Sequence, residues 1–437
     1  MTPGWKNSAF PLSREASGRF CFKSCKPMKQ CNHLFIGAGP AGLFSALSAA
    51  ERGKRVVMLE KMERPGIKLL LSGSGQCNIT RGGPMEDFFR HYGDNHRFLK
   101  HALLSFTNND LMDYFGQRGL EMLVREDGKV FPGSLRSRDV LDVLLHECER
   151  AGVEILYGKK VLSLEKVEGY FRAGTGDETW QAPTVLIAAG GKSYPSTGSS
   201  GDGYTLASGL GHTIITPRPS LVSLEIKNFP FGDLAGISIT GSFISLHRQG
   251  KRMREHRGDI LFTHTGLSGP GILDFSRYMQ PGDEVSLSMT AMENREEFRG
   301  RIMERMGREP AVRMRMILNG ENIPSRLTER LLELGSIDRD ARVGEVRKEL
   351  KNKFVDALTG TRLQISDTGG FDRAMCTAGG VTLKEIQPRT MESRIVPGLY
   401  FAGEVMDIDG DTGGYNLQAA FSTAFIAGNA MRGKYSR

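Results

Sequence analysis

Residues 33–61 read HLFIGAGPAGLFSALSAAERGKRVVMLEK, and this stretch decides the fold. A short apolar run, His33–Ile36, is followed by apolar residues at helical spacing that begin after Pro40 and stop at Gly53. A second β-rich run then ends in Glu60. The order strand, helix, strand predicts a βαβ unit, the first element of a parallel sheet that is covered by helices.

The turn between the first strand and the helix carries Gly37-Ala38-Gly39-Pro40-Ala41-Gly42, which matches G-x-G-x-x-G. In such a turn the first glycine permits a tight bend, the second lets the backbone approach a pyrophosphate, and the third lets helix and strand pack closely. Glu60 follows Gly42 by 18 residues. A carboxylate there would accept hydrogen bonds from ribose hydroxyls and repel a 2′-phosphate, which disfavours NADP. The alternative is a glycine-rich turn with an unrelated surface glutamate.

Two further glycine-rich segments suit a long, phosphate-rich cofactor. The first, KLLLSGSGQCN (68–78), offers small residues, backbone donors and a cation, although a flexible surface loop would have the same composition. The second, TGGYNLQ (412–418), opens the last predicted helix with Asn416 as its N-cap. The N-terminus of that helix would stabilise the negative charge of a reduced flavin, but an ordinary turn and cap would also account for the pattern.

The distribution of glycine, apolar and charged residues along the chain predicts two domains, one inserted in the other. Glycine-rich, strand-containing sequence at 31–204 and 366–437 flanks a segment, 205–365, that is β-rich and then helical and charged. We therefore predict a discontinuous cofactor-binding domain around an inserted substrate or cap domain. Residues 1–30 are basic and unlike the rest, and we expect a disordered tail or an early-assigned start, with a transit peptide as the alternative.

Composition limits the class of protein. The net charge is +8, of which residues 1–30 carry +5, so no nucleic-acid-binding surface is expected on the folded body. No apolar run is long enough to span a bilayer, and no membrane association is expected. The six cysteines form no C-x-x-C pair, which argues against a zinc or dithiol centre and fits a reducing cytoplasm. We expect no metal site.

The chain as a whole resembles the bacterial family of FAD-binding proteins that includes aminoacetone oxidase and the flavoprotein of bile-acid 7-dehydroxylation. The resemblance covers residues 31–432, although Gln76 stands where many members have a basic residue and Cys376 where an aliphatic one is expected. It is carried by GAGPAGL (37–43), KLLLSGSGQCNIT (68–80), AAGGKSYPSTGSSGDGY (188–204), LFTHTGLSGPGIL (261–273), TAGGVTLKEIQPRTMES (377–393) and GLYFAGEVMDIDGDTGGYNLQAAFSTAFIAG (398–428).

This resemblance implies an α/β fold: a glutathione-reductase-like, Rossmann-type FAD-binding domain interrupted by an inserted β-barrel-like and helical domain. It implies that FAD is bound non-covalently and that its parts lie along several segments of the chain. The cofactor-binding residues expected are Gly37, Ala38, Gly39, Pro40, Ala41 and Gly42 at the pyrophosphate; Glu60 and Lys61 at the adenosine ribose; Lys68, Ser72, Gly73, Cys77 and Asn78 on the flavin side of the phosphates; Val161, Ala189, Gly190 and Gly191 near the adenine; and Gly403, Glu404, Asn416, Leu417 and Gln418 along the ribityl chain and ring.

A second G-x-G-x-x-G after a strand is absent, so no separate nicotinamide-binding domain is expected. NAD(P)H would have to enter the substrate cavity as a transient donor, or another donor would act. We expect an FAD-dependent oxidoreductase that moves a hydride between flavin and a small organic substrate. Reduction of a conjugated C=C bond is favoured, oxidation of a small amine by O₂ is the alternative, and a non-catalytic redox sensor is a further alternative.

The sequence offers one lone candidate for acid–base chemistry, His264, in the inserted domain. Its titration near neutral pH would suit proton delivery, although a polar turn residue is the competing interpretation. The sequence does not define the substrate or the oligomeric state.

Overall fold

The computed structural model describes residues 28–291 and 294–433. The strands are β1 (Met28–Gln30), β2 (His33–Ile36), β3 (Val56–Leu59), β4 (Thr80–Arg81), β5 (Met122–Val124), β6 (Lys129–Pro132), β7 (Glu154–Leu156), β8 (Ser163–Val167), β9 (Tyr170–Gly174), β10 (Thr179–Ala182), β11 (Thr184–Ile187), β12 (Ile214–Ser220), β13 (Leu224–Ile226), β14 (Ser238–Arg248), β15 (Lys251–Phe262), β16 (Gly266–Ser268), β17 (Glu284–Leu287), β18 (Thr361–Asp367), β19 (Cys376–Val381) and β20 (Leu399–Phe401).

The helices are α1 (Pro40–Ala49), α2 (Ile67–Leu71), α3 (Met85–Phe88), α4 (His96–Ser105), α5 (Asn108–Gly116), α6 (Ser137–Arg150), α7 (Asp202–Gly209), α8 (Pro270–Phe275), α9 (Arg295–Arg308), α10 (Ser325–Leu334), α11 (Lys348–Gly360), α12 (Gly370–Arg373) and α13 (Tyr415–Gly433). Within the described ranges, none of the helices has the length and hydrophobicity to cross a membrane.

A five-stranded parallel sheet in the order β20-β11-β2-β3-β7 forms the centre of the first domain. Strands β2, β3 and β11 are buried along their whole length, as expected for parallel strands covered on both faces. Helices α1 and α13 pack closely together, since a Cβ on Gly428 would lie 2.3 Å from the Ser45 carbonyl oxygen. The predicted βαβ unit and its Rossmann-type fold are confirmed.

A second, four-stranded sheet in the order β1-β10-β9-β8 lies beside the parallel sheet. Residues 28–30, which the sequence placed in the tail, form strand β1 and pair in parallel with 179–181 of β10. Without β1, the backbone groups on that side of β10 would form an open sheet edge. They form hydrogen bonds with the segment that precedes β2 instead. Residues 1–27, the rest of the expected tail, lie outside the described residues.

The inserted domain is a closed six-stranded barrel in the order β13-β16-β15-β14-β17-β18, covered by α9, α10 and α11. Its separate hydrophobic core begins at Leu224 and ends at Ile365. Leu206 and Ala207 of α7, which follow the boundary predicted at 204, still pack in the core of the first domain. The barrel-like and helical character expected for the insertion is confirmed.

Candidate functional site

A cavity of about 730 Å³ lies at the carboxyl ends of β2, β3, β11 and β20. This is the edge of an open α/β sheet at which ligands bind, because the loops and helix N-termini converge there. Most of the residues expected to hold the cofactor line this cavity. They are Gly37, Gly39, Pro40, Ala41, Glu60, Lys61, Lys68, Ser72, Gly73, Asn78, Val161, Ala189, Gly190, Gly403, Glu404, Asn416 and Leu417.

The glycine turn shows why each glycine is needed. Gly37 has φ +102°, and a Cβ there would lie 2.6 Å from the Ala188 carbonyl oxygen. A Cβ on Gly42 would lie 1.9 Å from the carbonyl oxygen of Gly37, so Gly42 closes the turn against the helix and does not line the cavity. A Cβ on Gly39 meets no atom within 4 Å, although the residue lines the cavity at the N-terminus of α1. The open space at Gly39 is where a phosphate group can approach the helix end.

Glu60 is held in place by the backbone at the end of β3. Its Oε2 accepts a hydrogen bond from the Ala38 N–H at 2.6 Å, and its Oε1 accepts from the Met62 N–H at 2.8 Å. Ala38 thus acts through Glu60 and does not line the cavity itself. Each carboxylate oxygen retains a lone pair, so Glu60 can still accept from a ribose diol.

A polar network joins the segments on the opposite wall. Lys68 Nζ lies 2.6 Å from Glu404 Oε2 and donates to Ser193 Oγ, also at 2.6 Å. Gly191 lies under this network, where a Cβ would clash with Thr377 Oγ1 at 2.4 Å. The Asn78 amide, oriented with its oxygen toward Gly414, accepts from the Gly414 N–H at 3.1 Å. Segments distant in sequence are therefore fixed around one cavity.

The last helix places a second helix N-terminus at the cavity, but its cap differs from the prediction. Helix α13 begins at Tyr415 after Gly414, which has φ +98°. Asn416 is inside the helix, and its side chain bonds both the N–H and the carbonyl oxygen of Gly410 at 2.8 Å. The assignment of Asn416 as N-cap is wrong because Gly414 occupies the left-handed conformation that starts the helix.

Three predicted residues point away from the cavity. Cys77 is fully buried, and burial raises the pKa of its thiol to about 12, so the thiol is neutral. Gln418 is also fully buried and spans Thr80, Phe106 and Ser422 by hydrogen bonds, which is a structural role. His264 is exposed in the turn between β15 and β16 and does not line the cavity.

A basic residue is present beside Gln76 although the sequence lacks one at that position. Arg125 Nη2 donates to Gln76 Oε1 at 2.8 Å, and both residues line the cavity. The second departure, Cys376, also lines the cavity, and its burial raises the pKa of the thiol far above the usual range. At the first departure Arg125 supplies a cation to the cavity wall, and at the second Cys376 supplies an uncharged thiol.

A charged cluster at the boundary between the two domains was not predicted from the sequence. This Asp411 cluster comprises His91, Arg277, Asp409 and Asp411, of which Asp411 lines the cavity. Asp411 Oδ1 accepts from Arg277 at 2.5 Å and Oδ2 lies 2.9 Å from His91 Nδ1. The His91 ring stacks on Tyr415, with ring centroids 4.1 Å apart. The members lie on three separate segments of the chain, so no spacing in the sequence announces the cluster.

Asp274 of α8 joins the inserted domain to the same wall. It accepts a hydrogen bond from the Thr412 N–H at 2.6 Å, and Thr412 lines the cavity. Burial, with a smaller contribution from the nearby Asp411 carboxylate, raises the pKa of Asp274 to about 6. The carboxyl therefore gains a proton on folding at mildly acidic pH.

We expect the free energy of unfolding to depend on this proton. Between about pH 4 and 6 the folded chain binds a proton at Asp274 that the unfolded chain lacks, so the contribution of Asp274 to stability is lost as the pH rises through 6. Chemical denaturation across this range should show the stability of Asp274→Asn rising relative to wild type as the pH increases. A constant difference at all pH values would contradict this, and the exposed Asp233→Asn is the matched control.

The residues around the cavity fit a dinucleotide that carries a flavin. Two helix N-termini, those of α1 and α13, face the same cavity and can hold phosphate and a reduced ring. The Glu60 carboxylate can hold a ribose, and the open space at Gly39 leaves the backbone free for close approach. Within the described residues, no group of three or more His, Cys, Asp or Glu side chains is placed to hold a metal ion.

Comparison with known families assigns the chain. The model of the HI0933-like protein Rossmann domain matches residues 31–430. The chain belongs to this family. The match spans both parts of the cofactor domain and the inserted barrel between them, so the whole described fold is that of an HI0933-like, Rossmann-type FAD-binding protein of the oxidoreductase class.

Two curated relatives share most of their length with this HI0933-like chain. The ribosomal RNA dihydrouridine synthase of Escherichia coli K12 is 34% identical over 401 residues, which is 91% of this chain and 97% of the relative. The 3-dehydro-bile acid delta(4,6)-reductase of Clostridium scindens is 33% identical over 403 residues, 90% of this chain and 97% of the relative. Among solved structures, a quinol-fumarate reductase with menaquinol molecules aligns with a TM-score of 0.49 and 14% identity, over 93% of this chain and 72% of that chain.

Proposed function

We propose that this HI0933-like protein is a flavin-dependent reductase of a C=C bond conjugated with a carbonyl group, and that its substrate is a uracil base in ribosomal RNA. The relatives carry the proposal. By its name, one relative makes dihydrouridine in ribosomal RNA and the other reduces the double bonds of a 3-oxo bile acid. The uracil ring and the bile acid both present a C=C bond conjugated with C=O, so reduction of such a bond would account for both names.

Ribosomal RNA is favoured over a small enone because a second relative has the same name. The ribosomal RNA dihydrouridine synthase of Haemophilus influenzae is 33% identical over 400 residues and matches over 96% of its length. The expectation that the protein has no nucleic-acid partner is not supported by these relatives. A bile-acid-like enone is the second candidate, since the Clostridium relative is almost as similar.

The residues of the chain have separable tasks in this reaction. FAD, when bound, would supply the two electrons as a hydride. The Gly39 turn and the N-terminus of α1 would bind the pyrophosphate, and Glu60 would bind the ribose. The N-terminus of α13 would stabilise the negative charge of a reduced flavin. NAD(P)H is the proposed donor and would enter the open side of the same cavity.

Reduction of a conjugated C=C bond also needs a proton at the carbon next to the carbonyl. His91 is the candidate group for this: it does not line the cavity itself, but Asp411, which does, lies 2.9 Å from its Nδ1 and orients the ring. In the described part of the chain its Nε2 has no hydrogen-bond partner and can donate. His264, the residue proposed from the sequence, lies on the exposed barrel turn.

We expect His91→Gln to retain FAD but to slow C=C reduction by about a hundredfold or more, as for loss of a general acid. Stopped-flow measurement of flavin reoxidation by substrate checks the rate, and flavin absorbance checks the retention of FAD. The exposed His101→Gln on α4 is the matched control, and equal rates for wild type and His91→Gln would exclude His91 as the donor.

The function itself is tested with purified holoprotein under anaerobic conditions. The flavin is reduced with NADH or NADPH and then mixed with transcribed ribosomal RNA, free uridine or a 3-oxo-4-ene steroid; a separate sample of oxidised protein receives a primary amine in air. Flavin reoxidation by the RNA, together with nucleosides heavier by two hydrogens in its digest, supports the proposal. Reoxidation by the steroid alone supports the second candidate. Amine-dependent bleaching with peroxide formation would instead identify an oxidase and refute both.

A further inference from the structure

The tip of the β14–β15 hairpin in the inserted domain is unusually basic. Residues 248–257 read RQGKRMREHR, with five Lys or Arg side chains and His256 against the single acid Glu255. Arg248 and Lys251 pair across a two-residue turn, and every residue from 249 to 255 is exposed. A strand exposed on both faces and rich in cations contributes nothing to the barrel core, so its composition calls for another explanation.

Exposed arginines of the inserted domain are often paired with carboxylates, on the helices and on the hairpin alike. On and beside α9, Arg301 pairs with Glu321 at 2.7 Å and Arg308 pairs with Glu304 at 2.5 Å. On the hairpin, Arg252 pairs with Glu255 of its own strand, whereas Arg248 and Arg254 pair with Asp283 and Asp94, which lie outside the strand. Lys251 has no carboxylate partner in the described part of the chain. Residues 249–255 thus carry three cations against a single carboxylate of their own, which leaves an excess of positive charge at the hairpin tip.

The basic strand leads toward the cavity. Residues 254 and 256 lie on one face of β15, because alternate residues of a strand share a face, whereas a bulge in the ladder pairs Arg252 with His247 and places it on the other face. Arg254 lies over the Tyr278 ring at 4.1 Å and pairs with Asp94 at 3.1 Å, and His256 stacks on Phe275 at 5.4 Å. This face therefore packs along α8 and the segment after it, toward the loop that holds His91.

The loop at 91–95 connects this face to the cavity wall. Asn95 Nδ2 donates to the Asp407 carbonyl oxygen at 2.7 Å, and His91 contacts Asp411, which lines the cavity. His256 also lies within electrostatic range of Asp411 and His91. The strand face that carries Arg254 and His256 thus leads from the hairpin to the side of the cavity at which the Asp411 cluster lies.

We propose that Lys251, Arg252 and Arg254 bind the phosphate backbone of the RNA substrate and deliver the target base to the cavity. The inference rests on the proposed function, since it assumes that the substrate is RNA. Phosphates are spaced along a single strand and are bound by Lys and Arg without sequence readout, which suits several flexible cations at the exposed tip of a hairpin. Arg254 would exchange its exposed pair with Asp94 for a phosphate, and such exposed pairs are worth little in water.

The test compares two charge reversals of equal size. Lys251→Glu/Arg252→Glu changes the hairpin tip, and Arg347→Glu/Lys348→Glu changes an adjacent Arg-Lys pair that is exposed at the start of α11. Binding of transcribed ribosomal RNA to the holoprotein is measured by filter binding at several salt concentrations. We expect the hairpin variant to bind at least about tenfold more weakly with a shallower salt dependence, while the α11 variant binds like wild type. The flavin absorbance and the reduction of the 3-oxo-4-ene steroid, where wild type performs it, should be unchanged in both.

The outcomes separate the surface from the function. Equal loss in both variants, or no loss in the hairpin variant while wild type binds and reduces the RNA, would overturn the hairpin as the binding surface and leave the proposed function intact. If wild type neither binds the RNA nor forms dihydrouridine in it, the RNA substrate and the surface both fall. If the hairpin variant loses its flavin, RNA binding is measured instead with Arg254→Gln, which removes one cation and preserves the strand. Binding as tight as that of wild type would then overturn the hairpin as the binding surface.

Discussion

Gly39→Leu is expected to fold almost as well as wild type and yet to be purified without FAD. Gly39 has φ −81° and ψ 178°, a conformation open to any residue, and a Cβ there meets no atom within 4 Å. The apo form should be destabilised by about 1 kcal/mol at most, the cost of a poor helix N-cap. The leucine side chain would project into the cavity at the N-terminus of α1, where backbone N–H groups meet the pyrophosphate.

Loss of two charge-assisted hydrogen bonds to that phosphate would weaken binding by about 3–6 kcal/mol, which is more than a hundredfold. Titration of the apo protein with FAD, followed by flavin fluorescence, measures the change, and circular dichroism reports the fold. The control Gly116→Leu lies at the exposed end of α5, where a side chain also meets no atom, and should retain FAD. A Gly39→Leu protein that is yellow and releases FAD on denaturation would refute the assignment of this turn.

Arg277→Met is expected to be the most destabilising single change in the Asp411 cluster. The Arg277 side chain is 5% exposed, and its guanidinium contacts Asp411 at 2.5 Å, Asp409 at 3.3 Å and the Asp409 carbonyl oxygen at 2.9 Å. Methionine fills the same space without the charge and leaves Asp409 and Asp411 without their arginine partner, and Asp409 is only 9% exposed. Breaking one partner out of a buried ion pair typically costs about 3–5 kcal/mol.

Chemical denaturation of the FAD-saturated protein should show this loss. Adding Asp409→Asn to the Arg277→Met variant should restore part of the stability, because the second change removes one of the orphaned charges. Arg308→Met is the control, since that side chain is 77% exposed and should change stability by less than about 0.5 kcal/mol. If Arg277→Met were as stable as wild type, the ion pairs of the Asp411 cluster would not contribute to the free energy of unfolding.

The fold could be predicted from the sequence where its signals are local. The glycine turn, the apolar runs and Glu60 lie within 29 residues of one another, and the βαβ unit they predict is present. Short-range patterns of this kind report on backbone geometry: Gly42 is required by the Gly37 carbonyl inside the same unit, although the close contact of Gly37 itself is with Ala188 after β11. Strand β1 escaped prediction because its partner, β10, lies about 150 residues away and the pairing leaves no pattern in three residues.

The candidate site divides in the same way. The sequence by itself determined which segments surround the cavity, because each carries its own glycine or helix-start signal. Only the tertiary structure decided which side chains within those segments face inward: Cys77 and Gln418 are buried supports, and Gly191 permits close packing behind the wall.

The proposed proton donor could be found only from the tertiary structure. His91, Arg277 and Asp411 come from both domains and are brought together by the packing of α8 against the wall of the cavity. The partners of His91 in the cluster are about 190 and 320 residues away, so no local pattern in the sequence signalled it, and the sequence pointed to His264 instead. The stretch at 33–61 by itself determined a dinucleotide-binding turn, and only the contact between the two domains placed the Asp411 cluster at the same cavity, because its members meet only when the chain is folded.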